Sequence, residues 1–151
     1  MNMSFLIIIL LSLFSFPIES PAQNIPASAV EENLSTSKAV LYIFTGSDWC
    51  VDCRRLEKNV LLDSTFVKSM KLHKIEVEII DFPQRKKLPP EVVKHNESIA
   101  ETYDFKGIFP TLILSQDESN YEVLNYKNEK AAEFSKQILK KLKYLNRVYA
   151  K

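Results

Sequence analysis

The stretch that most constrains this chain runs from Lys38 to Val60, KAVLYIFTGSDWCVDCRRLEKNV. Ala39 to Phe44 is an unbroken run of apolar, β-forming residues, the pattern of a strand covered on both faces. Gly46 and Ser47 break the run. Leu56, Val60 and later apolar residues then recur at helical spacing, which predicts a single helix from about Cys50 to Met70, with Asp48 or Ser47 available as its cap. The start of that helix holds the only two cysteines, Cys50 and Cys53, directly behind the only tryptophan, Trp49.

The rest of the chain supplies partners for that strand. KLHKIEVEIID alternates Ile75, Val77 and Ile79 against Lys74, Glu76 and Glu78, a strand with one wet face that suits a sheet edge. Pro90 is placed to open a helix from Glu91 to about Tyr103, because proline is welcome at the first helical position. Thr111 to Leu114 reads as a strand starting on Pro110; SQDESN turns the chain and YEVLNY pairs back as a hairpin. Ala131, Phe134, Ile138, Leu142, Leu145 and Tyr149 recur at three- and four-residue steps after an Asn128 cap. Lys136, Lys140, Lys143 and Arg147 fall on the opposite side of that last helix, and read as a solvated face with cations near a helix C-terminus. The order strand, helix, strand, helix, strand, strand, helix predicts an α/β fold, a mixed central sheet of about four strands with helices on both faces.

A chain of 151 residues with 46% hydrophobic content can bury a single core. Its formal charge of +1 is too weak and too evenly spread to favour nucleic acid or anionic lipid as partners. The apolar run from Phe5 to Phe16 falls short of the about 20 residues a spanning helix needs, and Ser20-Pro21-Ala22 follows it with small residues. Residues 1–22 are therefore expected to be a cleaved signal peptide and to leave no stable membrane insertion. Residues 23–37 read as a polar lead-in with one short helix around Ala29 to Leu34, and residues 38–151 as the folded domain.

Export to an oxidising compartment permits a stable disulfide. As a structural staple, a bridge across so short a loop would remove little unfolded-state entropy compared with the about 3 kcal/mol expected of a 15-residue loop. A thiol at a helix N-terminus, by contrast, faces unpaired N–H groups and the positive end of the macrodipole, which favour the thiolate. Such sites drop to a pKa of roughly 3.5 to 7.5, and only the thiolate attacks disulfides. This makes Cys50 the expected nucleophile and Cys53, about one turn in, the resolving thiol, with sulfurs that can approach bonding distance. Zinc would need further ligands, and His73 and His95 stand alone in different elements, so no metal site is expected. Cu(I) accepts few ligands, and handling of that ion by the two thiolates remains a rival use.

FTGSDWCVDCRRLEKNV together with KGIFPTLIL resembles the thioredoxin superfamily over about Lys38 to Val148, and SDWCVDC is most similar to its exported thiol:disulfide interchange domains. The resemblance implies that Pro110 is cis and lies against the CxxC motif. It implies that Trp49, Phe109, Pro110 and Thr111 meet the substrate, Phe109 through its backbone. It further implies a redox-active Cys50–Cys53 disulfide with no additional cofactor. Three departures stand out. The buried aspartate usual in the strand before the motif is replaced at Ile43 or Phe44, so Glu57, four residues after Cys53, is the candidate proton acceptor. Gly107 lies three residues before Pro110 instead of two, and Phe109 is bulkier than usual.

Asp52 between the cysteines opposes a thiolate, and Arg54 and Arg55 recover part of that effect. A less stabilised thiolate means a lower reduction potential, nearer the about −270 mV of thioredoxin than the about −120 mV of strong oxidants. These features predict an oxidoreductase on the reducing or isomerising side, in a bacterial periplasm. Its partners would be protein disulfides and an upstream electron donor. A peptide-binding module with an idle disulfide is the second rival to this reading.

Overall fold

The computed structural model describes residues 38–149. The expected signal peptide, the lead-in with its short helix, and the last two residues lie outside the described residues. Strand β1 (Ala39–Thr45) is followed by helix α1 (Val51–Leu56), a π-helical segment (Glu57–Leu61), helix α2 (Ser64–Leu72), strand β2 (Ile75–Asp81) and helix α3 (Pro90–Thr102). Strands β3 (Thr111–Ser115) and β4 (Tyr121–Leu124) and helix α4 (Ala131–Tyr149) complete the order. The four strands form one mixed sheet in the order β2-β1-β3-β4. β1 runs parallel to β2 and antiparallel to β3, with Thr45 opposite Asp81 and Phe44 opposite Thr111. The expected α/β architecture, the interior position of β1, the edge position of β2 and the β3–β4 hairpin are all present.

Period-two alternation along β1 and β3 divides the core between the two sheet faces. Leu41, Ile43, Leu112 and Leu114 join Leu56, Val60, Phe66, Met70, Phe134, Ile138 and Leu145 in the larger cluster under α1, α2 and α4. Phe44 and Ile113 face the other way, with Ile80 and Tyr103, and meet Ile99, Ala100 and Phe105 around α3. Phe44 and Phe66 are buried core residues, whereas Tyr42 is half-buried at the edge of the α3-side cluster.

Three local expectations are corrected. The helix after the cysteines is not single: Asp63 turns extended and accepts from the Thr65 N–H at 2.7 Å, capping a separate α2. Upstream of it the chain widens by one residue, Leu62 N–H bonding the Glu57 carbonyl at 3.0 Å, which keeps Leu56 and Val60 both in the core. Asn128 does not cap α4. It adopts a left-handed conformation (φ 63°), and the Lys130 carbonyl accepts from Phe134 N–H at 2.9 Å. In β2 the alternation fails near its end, where Ile79 is 47% exposed and Ile80 is buried.

Candidate functional site

Between β1 and α1 the chain makes a tight turn in which the Trp49 and Cys50 N–H groups both bond the Gly46 carbonyl, at 3.2 and 2.8 Å. The Trp49 indole folds back over Gly46, so that a Cβ there would lie 2.3 to 2.6 Å from three of its ring atoms. Only glycine fits. Neither Asp48 nor Ser47 caps the helix that follows. Cys50 does so itself, with extended backbone (φ −77°, ψ 112°) and its Sγ accepting the Cys53 N–H at 3.1 Å. The sulfur thus occupies the position where helix-end amides stabilise negative charge. Cys50 and Cys53 are joined as a disulfide with Cα atoms 5.3 Å apart. Cys50 is 7% exposed and Cys53 3%, so the capping sulfur belongs to the more accessible residue.

Relieved of capping, the two polar residues of the turn hold the neighbouring loop instead. Asp48 accepts three backbone N–H groups, from Gln84 (3.0 Å), Arg85 (2.7 Å) and Lys86 (3.0 Å). The Gln84 bond leads the set that holds its carboxyl below the usual carboxylate range. Ser47 donates its N–H (2.8 Å) and its hydroxyl (2.7 Å) to the Asp81 carboxylate at the end of β2. Lys86 Nζ completes that group, 3.0 Å from Asp81 Oδ2 and 3.3 Å from Ser47 Oγ. Burial pushes the Asp81 pKa up, but the two Ser47 bonds and Lys86 outweigh it and the net shift is downward. Trp49 Nε1–H adds a bond to the Phe82 carbonyl at 2.9 Å.

Far along the sequence, the peptide bond from Phe109 to Pro110 is cis, as the resemblance implied. Phe109 packs edge-on against Trp49 with ring centroids 5.2 Å apart, and also meets Phe105 and Phe82. Trp49, Phe109 and the half-buried Pro110 and Thr111 are therefore brought to one side of the cysteine turn. The Thr111 hydroxyl donates to the Ile108 carbonyl at 2.7 Å, and Gly107 supplies the left-handed residue (φ 73°) that lets the chain enter this turn. Ile108 and Val51, 68% and 60% exposed, add apolar surface that the sequence reading did not single out. Their signal was positional: one lies inside CxxC and the other two residues before the proline.

Of the expected tuning residues, Asp52 pairs with Arg55 at 2.6 Å, while Arg54 extends from the same exposed turn. Glu57 is exposed at the first π-helical position. It borders a cavity of about 240 Å³ behind the disulfide, lined also by Cys53, Ile43, Ile79, Asp81 and Lys86. The exposed Ile79, on the edge strand, thus opens onto this cavity. Among the described residues no group of three or more His, Cys, Asp or Glu side chains is arranged to hold a metal ion, and no helix is long and apolar enough to cross a membrane.

No protein-family model matches the chain. The chain is 34% identical over 92 residues to the disulfide bond reductase DsbH of Chlamydia pneumoniae, an alignment covering 61% of this chain and 54% of that one. It thus spans about half the length of that curated relative. A solved structure titled DsbH oxidoreductase superposes with a TM-score of 0.64 at 27% identity, covering 73% of this chain and 78% of the other. A solution structure of a thioredoxin from Thermus thermophilus aligns at 15% identity and a TM-score of 0.45, over 71% and 75% of the two chains. With a CxxC pair opening the first helix of a mixed four-stranded sheet, the chain has a thioredoxin-like fold.

Proposed function

We propose that this thioredoxin-like protein is an exported thiol:disulfide oxidoreductase that reduces or isomerises protein disulfides through Cys50 and Cys53. The observation that carries the reading is the Cys53 N–H directed at Cys50 Sγ at the open end of α1. That bond favours a thiolate on the more accessible cysteine and leaves its partner one turn inside.

In the forward direction Cys50 thiolate attacks one sulfur of a partner's disulfide. A mixed disulfide forms, and the partner's second sulfur leaves as thiolate with the bonding pair. Cys53, having lost its proton, then attacks Cys50 Sγ; the mixed disulfide breaks and the partner leaves with both sulfurs reduced. Two electrons have passed from the Cys50/Cys53 dithiol to the partner, and an upstream donor must restore the dithiol. Trp49, Phe109, Pro110 and Thr111, with Val51 and Ile108, offer the apolar rim on which an extended peptide would lie. Glu57 stands at the outer edge of the cavity through which the Cys53 proton leaves.

The likeness to a disulfide bond reductase supports the reducing direction, as does Asp52 beside the thiolate. Export, into a bacterial periplasm, rests on the apolar leader read from the sequence. Insulin reduction with dithiothreitol tests the activity: Cys50→Ser should abolish acceleration, and Cys53→Ala should stall as a mixed disulfide on Cys50. Full activity of Cys50→Ser would sink the proposal in favour of a peptide-binding module. Tight stoichiometric Cu(I) binding by reduced protein without reductase activity would favour a copper-handling role instead.

A further inference from the structure

Resting on that reading, we infer that Asp81, held by Ser47 and paired with Lys86, accepts the proton of Cys53 across the cavity behind the disulfide. Cys53 is almost wholly buried, so its proton must leave into the space it lines. The polar residues bordering that space are Thr45, Ser47, Glu57, Asp81 and Lys86. Of the two carboxylates, Glu57 is exposed with a freely solvated side chain at the rim, whereas the Asp81 side chain is 13% exposed and fixed by Ser47 and Lys86. The two Ser47 bonds and the Lys86 pair leave Asp81 acceptor capacity, since an ionised carboxylate offers about four lone-pair sites. A cavity of about 240 Å³ has room for bridging water.

Ser47 and Lys86 hold the Asp81 carboxyl ionised, so it takes the proton only in passing, on its way to solvent. While Asp81 is ionised, its charge and that of Lys86 offset one another, and the thiol of Cys53 faces a nearly neutral pair. Once a proton reaches Asp81, Lys86 is left uncompensated and stabilises the new thiolate. The step balances without a further reactant. The Cys53 S–H proton passes through water to the Asp81 carboxylate as Sγ attacks Cys50 Sγ. The Cys50–partner bond breaks, and the departing partner thiolate takes its proton from solvent, to which Asp81 returns its own. Glu57, nearer the outside, is a stop on that return path. The charged groups facing Cys53 are thus Glu57 from its own helical segment, Asp81 from β2 and Lys86 from the following loop.

Reaction of the fully reduced protein with an aromatic disulfide such as dithiobis(nitrobenzoate) separates the two steps. The first thionitrobenzoate released reports Cys50 attack, and the second reports resolution by Cys53. Asp81→Asn should leave the first phase within about twofold and slow the second by roughly tenfold or more, the scale of a lost general base. In a Cys50→Ser background, alkylation against pH should show the Cys53 thiol becoming more acidic in Asp81→Asn and less acidic in Lys86→Gln. A thiol that is easier to ionise yet slower to resolve is a signature that mere loosening of the Ser47 turn does not produce. Asp81→Glu should restore part of the second phase. An unchanged second phase in Asp81→Asn, or a slowed one in Glu57→Gln with Asp81→Asn unaffected, overturns the assignment. Absence of the first phase in the wild type would overturn the functional reading itself.

Discussion

Gly46 carries the sharpest demand on a single residue. A methyl group there collides with the Trp49 indole at under 3 Å, so Gly46→Ala must swing the ring off its seat. That breaks the Nε1–H bond to Phe82 and the edge contact with Phe109. Expected outcomes are a red-shifted tryptophan emission, unambiguous because Trp49 is the only tryptophan, and slower insulin reduction with the disulfide intact. Asp48 makes the complementary test. Asp48→Ala removes the acceptor of three N–H groups, and the freed Gln84–Lys87 stretch, which offers Arg85, Lys86 and Lys87 to trypsin, should be nicked faster than in the wild type. An unchanged proteolysis rate would show that Trp49 and the Lys86 pair with Asp81 hold the loop without Asp48. The sequence pattern identified both cysteines and Trp49 because motif spacing is local. It assigned Asp48 and Ser47 to the wrong task, because their partners lie more than thirty residues downstream, where no local pattern records them.

At the scale of elements, strands and helices followed from periodicity wherever both faces had settled neighbours. β1 and β3 alternate between two apolar clusters, and α4 lays Phe134, Ile138 and Leu145 on the larger one. Phe134→Ala should cost about 3–5 kcal/mol in a urea titration, since the ring is fully buried and Tyr126 packs edge-on against it at 5.3 Å. The break before α2 was legible in principle: Asp63-Ser64-Thr65 is an N-cap signal set inside an apolar pattern. Leu61 and Leu62 masked it by continuing the helical spacing, although Leu62 points to solvent. Ile79 misled for a different reason, since it lies on the edge strand β2 and borders the cavity behind Cys53.

For the molecule as a whole, pH links stability to the site. Asp81 has a folded pKa below its unfolded value of about 3.9, so its contribution is complete at neutral pH and is lost as pH falls from about 4 through the folded value. The stability gap between wild type and Asp81→Asn, measured by urea titration, should therefore be widest above pH about 5 and close below that window. At the alkaline end burial, with Tyr103 and Glu78 as further causes, raises Tyr42 to about 12. Its contribution is complete below the unfolded value of about 10 and disappears as pH rises through about 12. Equilibration with glutathione checks the direction of electron flow: a potential below about −170 mV fits a reductant, and a more positive one contradicts it.

What the sequence determined by itself is the kind of fold and the place of the sulfurs. Hydrophobic period sets strand or helix locally, and two cysteines with two residues between them can reach bonding distance on the first turn of a helix. Tertiary structure alone decided what surrounds those sulfurs. The seat of Trp49 against Phe82 and Phe109, the clamp of Asp48 on the 84–86 loop and the Ser47–Asp81 bonds behind Cys53 all join residues distant in the chain. Such contacts depend on the register between β1 and β2, which brings Thr45 opposite Asp81. A one-residue slip would turn that carboxylate to the other face of the sheet.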